Sequence, residues 1–118
     1  MAKFKLKLNQ NEIKLLAWCC MYAPGQAGKA NGARDLAEQE TCMKLAEKML
    51  GMYRIDKPNY SLRLNTMETY LLATLIVPRL QNSDNPLCRC VGYLIAEDLG
   101  RQVIRELEVF NAMHHGDK

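Results

Sequence analysis

Apolar and polar residues alternate strictly at two places in the chain. Phe4, Leu6 and Leu8 flank Lys5 and Lys7, while Tyr60, Leu62 and Leu64 flank Ser61 and Arg63. A period of two is that of a strand with one buried face. Each run leads into an asparagine, Asn9 or Asn65, with a glutamate three residues on at Glu12 or Glu68. In that arrangement a side-chain oxygen and a carboxylate reciprocally satisfy free N–H groups at a helix start. A helix is therefore expected directly after each strand.

Beyond the asparagines the period changes to that of helices. The first of each pair is expected over about residues 10–22 and 66–77, ending near Pro24–Gly25 and Pro78, which disfavour continuation. Their later turns are apolar on nearly every side, as in Leu15, Leu16, Trp18, Cys19, Cys20 and Met21 or Leu71, Leu72, Leu75, Ile76 and Val77. Such helices are expected at the centre of the molecule or in an oligomer contact. The second helices are expected from about Arg34 to Tyr53 and from Pro86 to Asn111, the latter capped by Asn85 with Pro86 at its first position. Leu36, Met43, Ala46 and Leu50 mark one apolar stripe, and Val91, Leu94, Ile95, Val103, Leu107 and Phe110 mark the other.

These two series are similar to each other. A shift of 56 residues lays Phe4–Ala17 over Tyr60–Ala73 with seven of fourteen positions identical, and a shift of 59 brings Leu36, Ala37 and Glu38 over Ile95, Ala96 and Glu97. The expected fold is mainly α, with two strand-helix-helix repeats, 3–57 and 59–113, inside a single domain spanning 1–118. A lone strand of this length leaves its N–H and C=O groups unpaired, and no other segment alternates convincingly. The two strands are therefore expected to pair as a two-stranded antiparallel ribbon beside a helical bundle. Apolar residues would face the helices, with Lys3, Lys5, Lys7, Ser61 and Arg63 outward.

Composition adds limits. With 48% apolar and 25% charged residues, the 118-residue chain has the make-up of a globular domain. Its net charge of +3 is small, but residues 1–59 hold ten Lys or Arg against six Asp or Glu, whereas residues 60–118 hold six against seven. No apolar run approaches the roughly 20 residues needed to span a bilayer, and no secretory signal is recognisable. Five cysteines without scaffold spacing point to a reducing, cytoplasmic compartment.

Leu6-Lys7-Leu8-Asn9 and Leu62-Arg63-Leu64-Asn65, each running into a capped helix, resemble the opening of the ribbon-helix-helix DNA-binding family. That resemblance implies paired strands lying in the major groove of duplex DNA with outward side chains reading base edges. Lys5, Lys7, Ser61 and Arg63 would face the groove. The chain differs from the family in fusing two copies, in a long segment from Pro24 to Ala33 between helices, and in having one basic residue in its second strand. The alternative reading of the lysines is a solvated face that discourages edge-to-edge aggregation.

Other motifs carry less. Gly25-Gln-Ala-Gly28-Lys29 resembles the Gly-x-x-Gly loop of K-homology domains, but those need further strands after the second helix, so a mobile connection is expected. Cys88-x-Cys90, Cys19-Cys20, Cys42 and His114-His115 lack the spacing of structural zinc sites, and no metal or other cofactor is expected. No nucleophile, base and acid can be grouped from sequence, so the expectation is a binding protein and not an enzyme. Its partner would be duplex DNA or, in the other reading, a second copy or a partner helix.

Overall fold

The computed structural model describes residues 4–26 and 32–114. Its elements run β1 (Phe4–Leu8), α1 (Gln10–Gln26), α2 (Ala33–Tyr53), β2 (Tyr60–Leu64), α3 (Thr66–Leu71), a π-helical turn (Leu72–Ile76), α4 (Val77–Gln81) and α5 (Pro86–His114). The protein is mainly helical, and the two strands pair antiparallel as expected. Lys3, Ala27–Asn31 in the glycine-rich connection, and His115 fall outside the described residues.

Alternation decides which way the ribbon faces. Phe4, Leu6, Leu8, Tyr60, Leu62 and Leu64 are all buried, and the intervening residues are all exposed. Each buried aliphatic or aromatic side chain contributes about 1.5–3 kcal/mol, enough to hold the strand face on the helices. The floor beneath is built from Ile13, Leu16 and Cys20 of α1, Leu45 and Met49 of α2, Leu71 of α3, Leu72 and Ile76 of the π turn, and Ile95 and Leu99 of α5.

Helix starts are chemically marked. Glu12 N–H donates to Asn9 Oδ1 and Asn9 N–H donates to Glu12 Oε1, both at 2.8 Å. Asn65 and Glu68 repeat this box at 2.7 and 2.8 Å. Asn85 accepts from Leu87 N–H at 2.9 Å ahead of Pro86, as its sequence position suggests.

Three expectations change. Helix does not stop before Pro78: Val77 N–H reaches back five residues to Leu72 C=O, and the π turn delivers Pro78 to the first turn of α4, where a missing N–H costs little. Helical backbone likewise carries on through Pro24 to Gln26. In α2 the core stripe is Cys42, Leu45, Ala46 and Met49, and Leu36 and Met43 are exposed. In α5 the stripe is Val91, Ile95 and Leu99, because the helix outruns the core and leaves Leu107 and Phe110 53% and 58% exposed. Leu94 also faces outward.

Close approach at Gly92 sets the α4–α5 hairpin. A Cβ there would lie 2.9 Å from Leu80 Cβ and 3.0 Å from Gln81 N, so only a glycine lets the two helices meet at this distance.

Candidate nucleic-acid interface

The outward face of the ribbon is a two-by-two array of side chains. Register places Lys5 opposite Arg63 and Lys7 opposite Ser61, with Leu6 opposite Leu62 at the centre. All four outward residues are exposed, so the structure brings together every expected ribbon residue except Lys3, which is not described.

Two helices clamp the edges of this array. Lys5 N–H donates to Gln102 Oε1 at 2.9 Å, and Gln102 Nε2 donates to Lys5 C=O at 2.8 Å. On the other edge Lys48 Nζ donates to Arg63 C=O. The backbone groups of Lys5 and the carbonyl of Arg63 therefore point away from the partner strand. That geometry marks Lys5↔Arg63 as a non-hydrogen-bonded pair, the kind in which facing side chains stand closest.

Electrostatics follows from that placement. Two cations sit directly opposite each other, an arrangement that is unfavourable in a sheet, and Lys7 lies two residues along. None of the four outward residues is acidic. Among the described residues the ion pairs are Arg34–Glu38 and Arg101 with Glu97 and Asp98, and none engages Lys5, Lys7 or Arg63. Lys48 brings a fourth cation to the same rim. An anion across this face relieves the repulsion, and guanine N7 and O6 are acceptors that long cations reach in a major groove.

Lys48 and Gln102 carry no local sequence signal for these roles. Each sits on the polar side of a long helix, and only the tertiary fold brings it to a strand edge. Cross-element distance of this kind has no period to detect.

A second surface is apolar. Between α3 and the distal part of α5 runs a groove of about 680 Å³, lined by Phe4, Tyr70, Ala73, Leu107, Phe110 and Met113 among others. Trp18 and Tyr22 of α1 are also exposed and stack on each other with ring centroids 5.1 Å apart, so this side of α1 is not buried at the centre of the chain, the first of the two places expected for it.

The cysteines are free thiols. Burial pushes the Cys20, Cys19 and Cys42 thiols up from their ordinary value, opposed at Cys19 by Arg79. Protonated thiols of this sort are poor nucleophiles and poor metal ligands. Among the described residues no three His, Cys, Asp or Glu side chains are grouped to hold a metal ion. Among the same residues no helix is long and apolar enough to cross a membrane. Comparison with protein-family models, with curated proteins and with solved structures returns no match to this chain.

Proposed function

We propose that this chain is a non-enzymatic duplex-DNA-binding protein that lays its two-stranded ribbon in the major groove, as a small cytoplasmic transcriptional regulator would. The observation that carries the reading is the outward array itself, in which Lys5, Lys7 and Arg63 share one exposed face and none of the four outward strand residues is acidic. A ribbon of two strands spaced about 4.8 Å apart fits a groove about 12 Å wide.

The same reading takes the chain as two fused strand-helix-helix units resembling a ribbon-helix-helix dimer. Supporting it are the register centred on Leu6↔Leu62, the paired capping boxes, and a crosswise clamp. In that clamp α2 of the first unit reaches the strand of the second, and α5 of the second reaches the strand of the first.

Fluorescence anisotropy with labelled mixed-sequence duplex at low salt tests the proposal. Binding is expected at micromolar protein, weakening steeply with added salt as counterion release is lost. Lys7→Ala and Arg63→Ala should each cost about 1–3 kcal/mol where the residue meets a base edge, with the fold unchanged. Absence of binding, or binding indifferent to both substitutions, sinks it.

The α3–α5 groove favours a second reading, in which the protein associates with itself or takes a partner helix, since the exposed apolar side chains of Leu107, Phe110 and Met113 gather along it. Sedimentation velocity on the wild type and on Phe110→Asp tests the self-association form of this reading, which requires an oligomer that the substitution dissociates.

A further inference from the structure

The ribbon array is symmetric along one diagonal and asymmetric along the other. A twofold axis through the Leu6↔Leu62 pair relates residue 7 to residue 63 and residue 5 to residue 61. Lys7 and Arg63 are matched long cations. Lys5 and Ser61 are not matched: one is a long cation and the other a short hydroxyl.

Identical subunits meeting about a twofold axis present the same side chains to both halves of a site, and so select palindromes. One chain that supplies both strands is free of that constraint. Rows two residues apart along a strand are separated by about 6.8 Å, which matches about two base-pair steps of 3.4 Å. The row Lys5·Arg63 and the row Lys7·Ser61 thus meet different base pairs. At one row both side chains can donate to guanine acceptors, whereas at the other only Lys7 has the reach. Clamping of Lys5 by Gln102 and of Arg63 by Lys48 fixes the backbone of the richer row.

Resting on the DNA-binding reading above, we infer that a single chain recognises a non-palindromic duplex site in which Lys5 demands a guanine that its symmetry mate Ser61 does not. Lys7 and Arg63 read equivalent positions in the two halves. Lys5 and Ser61 set the difference between them.

Selection from a duplex library with a randomised ten-base-pair centre, followed by anisotropy on the selected duplexes, tests this. The wild type is expected to bind one chain per duplex and to enrich guanine at the Lys5 position in one half only. Replacing that guanine should weaken binding about ten-fold or more, as loss of one good base contact does. Ser61→Lys should convert the selected site towards a palindrome with guanine in both halves. Lys5→Ser should also make it palindromic, by relaxing the requirement in the half that had it, and it avoids adding a cation opposite Lys7. A palindromic site for the wild type, or the same asymmetric site in both variants, overturns the inference. Equal, salt-sensitive affinity for every duplex also overturns it while leaving the DNA-binding reading standing. No binding to any duplex at micromolar protein removes both.

Discussion

Gln102 treats Lys5 as a neighbouring strand would, its side-chain amide accepting from the Lys5 N–H at 2.9 Å and donating to the Lys5 C=O at 2.8 Å. A side chain 97 residues away in sequence thus completes an edge that would otherwise offer its polar groups to other chains. Gln102→Ala should lower stability by about 1–2 kcal/mol for the two bonds. It should also make the protein more prone to edge-to-edge aggregation. Urea melts and light scattering on the variant give both readings.

Glycines on α5 should respond to alanine with opposite signs. Gly92→Ala forces a Cβ against Leu80 and the Gln81 backbone and should destabilise by about 1–3 kcal/mol. Gly100 faces open space in the same helix, so Gly100→Ala should stabilise by about 0.5–1 kcal/mol. Chemical denaturation of the two variants under one set of conditions checks the contrast.

Each capping asparagine closes two hydrogen bonds at the point where strand becomes helix. Asn9→Ala and Asn65→Ala should each cost about 1 kcal/mol. The double variant should lose close to the sum, since distant independent sites add. Thermal melts of the three variants measure it.

Alkaline pH should weaken the fold. The folded-state value of the Cys20 thiol is raised above its ordinary 9.0 by burial. Its contribution is therefore complete below pH 9. It is lost as pH rises, because the unfolded thiol releases its proton while the folded one keeps it. Stability should fall by up to about 1.4 kcal/mol per pH unit for this thiol. Urea titrations between pH 8 and 10 should show a shallower decline for Cys20→Ala than for the wild type.

Local pattern carried the strands, the helix starts and the outward cations, because alternation and capping spacing are written within a few residues. Pairing of the strands followed from backbone bookkeeping. What sequence could not show depends on tertiary reach. Leu36 and Met43 are apolar at helical spacing, yet α2 presents Cys42, Leu45 and Met49 to the core. Pro78 has the look of a stop signal, and a five-residue π turn upstream lets the helix pass it. Leu107 and Phe110 lie in register with Val103 but beyond the end of the core, so their periodicity is real and their burial is not.

Pairing of β1 with β2 closes a loop that holds both α1 and α2. On a ribosome adding about 5–20 residues per second, β1 emerges seconds before β2 exists. Through that interval Phe4, Leu6 and Leu8 have no strand partner, and the two lysines between them are the local barrier to a neighbouring nascent chain taking the vacant edge. The charges that face outward in the finished ribbon thus guard its first half during synthesis, and neutralising Lys5 and Lys7 together would be felt first in the yield of soluble protein.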